Sequence, residues 1–241
     1  MIKVIICGIT NRREIEYLNI LKPEYIGFVF TKSKRQVSEE EANELCLNLN
    51  KEIKKVGVFR DNSLDEILAV LDKVKLDIIQ LHGSEDEKFI TSLRNNINKS
   101  MEIWKAVSIK DGEILKKYIA GNKVDSKGDK LIDNILIDGE NPGSGETFSL
   151  KNIGQYFRDN DEIANEENSF KQYNFFLAGG ITEENVLDRI AEANPIGVDV
   201  SSGVEIIDEN GIRTKSFEKM KSLIEKVKSV NNYGTKVKNH R

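Results

Sequence analysis

The chain is poor in the residues that cross-link proteins or bind metals, with two cysteines and two histidines among 241 residues. Cys7 and Cys46 are too few for a disulfide framework, so a reducing cytoplasm is the expected compartment. Cys7, Cys46, His82 and His240 show no metal-ligand spacing, and neither a structural nor a catalytic zinc is expected. No apolar run approaches the ~20 residues of a membrane span. The N-terminal stretch has neither a long apolar segment nor a small-residue cleavage site, so neither membrane attachment nor a signal peptide is expected. Positive charge is not in excess either: the net charge of −4 offers no basic field for nucleic acid.

What is present reads as a soluble globular chain, 39% hydrophobic and 32% charged. Its length fits two small domains or one α/β barrel. The organising stretch is Val4-Ile5-Ile6-Cys7-Gly8-Ile9-Thr10, a short apolar run that ends in cysteine and then glycine. A buried strand reads this way where it runs out into a turn. A cysteine at that point is either a small core residue or a reactive group displayed at a strand end. A helix follows with Ile15, Leu18 and Leu21 at helical spacing, capped by Thr10 or Asn11.

The same unit recurs along the chain. Strands are expected at Tyr25–Phe30, Lys55–Phe59, Leu76–Leu81, Met101–Val107, Leu131–Asp138, Phe175–Ala178 and Ile196–Val200. Ser38 with Glu41, Ser63 with Glu66 and Ser84 with Glu87 are capping-box signals for the helices between them. Cys46 falls on an apolar helix side with Ala42, Leu45 and Leu49, and reads as core. A weaker helix is expected from Gly112 to Ala120, another begun by Thr182 with Asn185 and running to Ala193, and a last one from Ser216 to Val227. Most strands are apolar on both faces, as in a parallel sheet covered on both sides. About eight alternating units predict a (β/α)₈ TIM barrel in a single domain over 1–228, with a doubly wound sheet as the structural alternative. Surface inserts are expected near 121–130 and 158–172, the second a passive loop on the face away from the site. The polar tail at 229–241 is expected to fray.

In such barrels the active site lies at the C-terminal strand ends. The unusual residues collect there: Cys7 after the first strand, Arg35 after the second, His82 after the fourth and Asp138 after the sixth. Gly179-Gly180 after the seventh and Ser201-Ser202-Gly203 after the eighth suit a phosphate, because glycine admits backbone amides close to an anion. They read otherwise as ordinary turns. Arg35 is either one of a run of surface cations with Lys32 and Lys34, or a fork for a carboxylate. Asp138 is either a capping aspartate or a general acid at the barrel mouth, and His82 either a packed strand-end histidine or a ligand contact.

Several stretches, in order and nearly spanning the chain, together resemble phosphoribosylanthranilate isomerase. They are Ile6-Cys7-Gly8-Ile9-Thr10, Ser33-Lys34-Arg35-Gln36-Val37-Ser38, Gln80-Leu81-His82-Gly83, Asp138 with Pro142-Gly143-Ser144-Gly145, Leu177-Ala178-Gly179-Gly180 and Val198-Asp199-Val200-Ser201-Ser202-Gly203-Val204-Glu205. The resemblance implies a cofactor-free Amadori rearrangement of a small phosphorylated substrate in tryptophan biosynthesis. Asp138 would be the general acid and Cys7, as thiolate, the general base. Arg35 would hold the anthranilate carboxylate, and Gly179, Gly180, Ser201 and Ser202 the phosphate. His82 and Asp199 would complete the substrate-binding set. The enzyme would act as a monomer or a homodimer.

A free thiol near pKa ~8.5 is mostly protonated at neutral pH, so a useful base requires a lowered value, which a positive barrel mouth would supply. One departure bears on this point. The family usually carries lysine two residues before the cysteine, and this chain has Ile5, which should share the inward face of Cys7. The missing cation is expected to leave a nearby carboxylate without a partner or the thiol less acidic. Two other functions fit the same barrel: a sugar-phosphate epimerase or isomerase with no need for a carboxylate-binding arginine, and a sensor that binds a phosphate ligand without turnover.

Overall fold

The computed structural model describes residues 1–119, 130–139 and 174–238. The chain begins with β1 (Lys3–Cys7), α1 (Arg12–Leu21), β2 (Tyr25–Val29), α2 (Glu39–Leu47), β3 (Lys54–Phe59), α3 (Leu64–Lys73), β4 (Ile78–Leu81) and α4 (Glu87–Asn96). It continues with β5 (Glu102–Ser108), α5 (Gly112–Ile119), β6 (Asn134–Asp138), β7 (Phe176–Leu177), α6 (Val186–Ala193) and β8 (Gly197–Val200). Strands β1 to β8 pair in parallel in chain order, and β8 returns to β1, so the sheet closes into the expected barrel. The expected inserts near 121–130 and 158–172, and the Pro142–Gly145 loop, lie outside the described residues, apart from Lys130.

The doubly apolar strands separate into two cores. Outward-facing residues such as Ile6, Ile26, Phe28, Ile79 and Ile137 pack under the helices. Inward-facing Ile5, Tyr25, Val56, Ile78, Trp104, Leu136 and Phe176 fill the barrel. Alternation along each strand produces this division, because successive side chains point to opposite faces. Trp104 stacks on Phe176 with ring centroids 4.4 Å apart, and Tyr25 meets both edge-on at 5.2 and 5.9 Å. These rings plug the barrel, and the inward residues one step further along the strands become the floor of its mouth.

Helix starts follow local chemistry. Asn11, Ser38 and Ser63 each cap a helix through a reciprocal box with a glutamate three residues on. Helix α4 departs from the expected Ser84 start. The Ser84 hydroxyl and N–H both bind Asp61 Oδ1, so Asp86 takes over the cap by accepting from the Phe89 N–H at 2.8 Å. Helix α6 begins at Val186 rather than Thr182, because the Asn185 carboxamide instead closes the preceding loop, accepting from the Thr182 N–H and donating to the Gly180 carbonyl.

Between β8 and the last helix lies a hairpin that the sequence reading passed over. After a 3₁₀ turn at Ser202–Val204, β9 (Glu205–Ile207) pairs antiparallel with β10 (Arg213–Lys215). Its connection is a turn in which Asp208 Oδ1 accepts from Asn210 and Ile212 and Gly211 adopts φ +79°. Helix α7 (Phe217–Lys238) then runs past the expected end near Val227. Val230 still packs on the core, and no proline interrupts the polar residues that follow.

Candidate active site

A cavity of about 300 Å³ opens at the C-terminal strand ends. Cys7, Arg35, His82, Asp138, Gly179, Gly180, Asp199, Ser201 and Ser202 all line it. Residues scattered over nearly 200 positions thus face one space, because each sits at or just beyond the end of a barrel strand.

Cys7 closes β1 beside β2, where Gly27 is its register partner. A Cβ at Gly27 would stand 2.7 Å from the Cys7 sulfur, so only glycine leaves the thiol its place. The Cys7 residue keeps contact with the cavity, yet the packing around its sulfur pushes the thiol well above its ordinary pKa. Asp199 adds to that rise, while Lys215, Arg35 and the Gly8 N–H oppose it without prevailing. The sequence expectation of a lowered thiol pKa is therefore not met: desolvation outweighs the positive charges at the mouth.

Asp138 ends β6 and is buried, with Oδ1 accepting from the Gly139 N–H at 2.7 Å and Oδ2 lying 3.1 Å from His82 Nε2. His82 follows β4, and its ring fixes the orientation of the Asp138 carboxyl. The loop that carries His82 is itself clamped. Lys105 reaches from inside the wall to the Gly83 carbonyl at 2.6 Å and to Glu85 at 2.8 Å. Glu85 in turn accepts from the N–H groups of Gly83 and Asp61.

Asp199 on β8 lies beside Ile5 in the register. Its Oδ1 has no hydrogen-bond partner among the described residues, and neither has the buried Gln80 Nε2. Burial, with Asp138 nearby, pushes the Asp199 carboxyl up to about 7, against the pull of His82 and Lys215. Ile5 is buried in the inner core with Cys7 packed against it. The pocket thus holds a carboxyl oxygen without a partner among the described residues and a thiol that burial makes hard to ionise, beside a position where Ile5 brings no charge.

Arg35 does not stand as an open fork. Its Nε and Nη2 are engaged by Glu205 at 2.5 and 2.8 Å, which leaves Nη1 as the guanidinium nitrogen without a bond to a described residue. The pairing raises the Arg35 pKa further. Burial opposes charge on Glu205, but Arg35 and Lys215 together hold its carboxylate down to about 2. Lys215 is absent from the sequence reading because it sits in the hairpin, in a stretch with no periodic signal. Glu205 enters there only as the end of a motif. Lys32 and Arg60 also line the cavity.

Beyond the end of β7, Gly179 and Gly180 adopt φ +83° and +61°. The N–H groups of Gly179, Gly180 and Ile181 donate to no acceptor among the described residues. Consecutive amides in this state form a concave anion site, and the hydroxyl-bearing Ser201 and Ser202 stand on the next loop. The Ser201 hydroxyl donates to the Cys7 carbonyl at 3.0 Å, which ties this rim to the end of β1. Among the described residues no group of three His, Cys, Asp or Glu side chains could hold a metal ion. No helix there is long and apolar enough to cross a membrane.

Comparison with known proteins identifies one family. The family model described as N-(5'phosphoribosyl)anthranilate (PRA) isomerase matches residues 4–226. N-(5'-phosphoribosyl)anthranilate isomerase of Clostridium beijerinckii is 59% identical over 235 residues, covering 96% of this chain and 99% of that one. Phosphoribosyl anthranilate isomerase of Thermotoga maritima superposes with a TM-score of 0.74 at 30% identity, over 95% of this chain and 100% of that one. A phosphoribosyl anthranilate isomerase solved in complex with reduced 1-(o-carboxyphenylamino)-1-deoxyribulose 5-phosphate gives a TM-score of 0.69 at 28% identity, with the same coverage. Matched from end to end of the barrel, the chain belongs to the N-(5'-phosphoribosyl)anthranilate isomerase family, enzymes of tryptophan biosynthesis.

Proposed function

We propose that this pocket converts N-(5-phosphoribosyl)anthranilate to 1-(2-carboxyphenylamino)-1-deoxyribulose 5-phosphate, with Asp138 as general acid and Cys7 as general base. One observation carries the reading. A buried carboxyl and a thiol face the same cavity from different barrel strands, beside a rim of backbone amides that have no protein acceptor. A relative of the same fold binds a reduced form of this product.

The steps follow from these positions. Asp138 donates its proton to the ribose ring oxygen, the C1–O bond breaks, and the anilino nitrogen lone pair forms a C1=N iminium. The Cys7 thiolate removes the C2 proton. The released electron pair forms C1=C2, neutralises the nitrogen and yields an enolamine, which becomes the C2 ketone when C1 takes a proton and the C2 hydroxyl gives one up. His82 orients the acid. The phosphate sits on the amides of Gly179 and Gly180 with the hydroxyls of Ser201 and Ser202. Asp199 turns its unpartnered oxygen to a sugar hydroxyl, and Arg35 meets the anthranilate carboxylate through the edge that Glu205 leaves open.

The raised thiol pKa is compatible with this role because the iminium forms next to C2. A positive charge beside the thiol favours the thiolate at the step that needs it. The decisive experiment is the loss of anthranilate fluorescence when the purified protein meets freshly made phosphoribosylanthranilate. Enzyme-dependent loss well above spontaneous hydrolysis is expected. A rate equal to hydrolysis would overturn the reading and leave a sugar-phosphate epimerase or a sensor as the occupant of the same barrel.

A further inference from the structure

Lys215 takes no part in these steps, yet it is one of the most buried cations of the chain at 2% exposure. Its ammonium has three acceptors: the Ser201 carbonyl at 3.1 Å, the Ser201 hydroxyl at 3.3 Å and Glu205 Oε1 at 2.8 Å. Each leads to a different part of the site. The Ser201 hydroxyl donates to the Cys7 carbonyl at 3.0 Å, so the cation stands two hydrogen bonds from the residue that bears the thiol. Ser201 also belongs to the phosphate rim, and Glu205 grips the Arg35 guanidinium.

The backbone of Lys215 is pinned independently of its side chain. Its N–H donates to Glu14 Oε1 at 2.8 Å, and Glu14 is the capping glutamate of α1, whose other oxygen accepts from Thr10. The hairpin is therefore stapled to the loop that directly follows Cys7. Burial of a lysine is expensive unless it is paired and fully hydrogen-bonded, and here burial lowers the Lys215 pKa while Glu205 and Cys7 raise it.

The geometry points to Lys215 as a positioning residue for the reaction: one buried ammonium that fixes the Cys7 strand end, the Ser201 rim and the Arg35–Glu205 pair relative to one another, and sets a positive charge two hydrogen bonds from the residue that bears the base. This inference rests on the reading of Cys7 as base. The groups that act on the Cys7 thiol, besides burial itself, are Asp199 from β8, Lys215 from β10, Arg35 from the loop after β2 and the Gly8 N–H. Lys215 and Arg35 are the two cations of that set, and Arg35 is bound to Glu205 through two of its three nitrogens. In this chain Ile5 supplies no charge from β1, so the hairpin delivers it from outside the barrel sheet.

The test is the rate of Cys7 alkylation by iodoacetamide as a function of pH, in substrate-free protein carrying Cys46→Ser so that Cys7 is the single thiol. Lys215→Gln keeps an amide donor for Ser201 and removes the charge. The alkylation profile is expected to move to higher pH, with the rate at neutral pH falling on the order of tenfold to a hundredfold. The kcat should fall by a similar factor, with KM changed by less than about threefold. A profile and kcat that coincide with the parent in folded Lys215→Gln would overturn the inference. If that variant does not fold, the same replacement is read in a Glu205→Gln background, where no buried carboxylate is stranded. The displacement relative to Glu205→Gln alone is expected again, and its absence overturns the inference equally. Thiol reactivity is read without substrate. A protein with no isomerase turnover in any form but a displaced profile would refute the proposed reaction, and with it the catalytic part of this inference, leaving only the effect of the Lys215 charge on the Cys7 thiol.

Discussion

Asp199→Asn isolates the most perturbed carboxyl of the pocket. Burial raises Asp199 from 3.8 to about 7. The folded protein thus holds a proton on Asp199 over a range in which the unfolded chain has released it. Stability then falls as pH rises through that range, because the native state binds more protons. Below the unfolded value the group contributes nothing. Above the folded value the full penalty stands, and at 1.36 kcal/mol for each pH unit of difference it reaches about 4 kcal/mol. Asparagine has the same shape and carries no charge to desolvate. Urea denaturation of parent and variant, compared pH by pH, cancels every other titrating group. From about pH 5 to about pH 7.5 the advantage of Asp199→Asn should grow by about 2–3 kcal/mol. Parallel stability curves, with a difference independent of pH, would refute the claim that Asp199 is forced to hold a proton. A gain in stability together with a loss of turnover is expected, because a strained polar group at an active site is retained for function.

Three further results follow from the packing and charges of the site. Ile5→Lys places an ammonium beside Asp199, so in that background the pH-dependent advantage of Asp199→Asn should vanish, and Cys7 alkylation should move to lower pH; unchanged curves would contradict the register argument. Gly27→Ala brings a methyl to 2.7 Å from the Cys7 sulfur, and steady-state assay should show kcat reduced at least tenfold, on the order of the general-base contribution. Phe176→Ala empties the centre of the inner aromatic stack, and chemical denaturation should register a loss of about 3–5 kcal/mol.

The barrel was legible because its signals are local and repeated. Apolar strands and strand-end polar residues recur along the chain, serine or asparagine caps open the first three helices, and Cys7, His82, Asp138 and Asp199 reach one cavity from at or near their strand ends. What the sequence did not show depends on contacts between distant segments. The Ser84 start of α4 is sound locally, but Asp61, 23 residues earlier, takes its hydroxyl. Arg35 reads as an open fork because Glu205, 170 residues away, is invisible from its own neighbourhood. The hairpin carrying Lys215 is two three-residue strands, too short for a periodic pattern. The expectation that the mouth's charges would lower the thiol failed for a related reason: such charges can be counted in a sequence, whereas desolvation depends on how closely the folded wall surrounds the sulfur.

The central claim is that Cys7 and Asp138 exchange protons with the substrate in one pocket. The most direct measurement is single-turnover conversion of phosphoribosylanthranilate by the parent, Cys7→Ala and Asp138→Asn, with binding of the reduced product analogue measured on the same samples. The account predicts that each variant binds the analogue within a few-fold of the parent while turnover falls by about 10²–10⁴, the range of a lost acid or base. Near-normal turnover in either variant, with the fold intact, would contradict it.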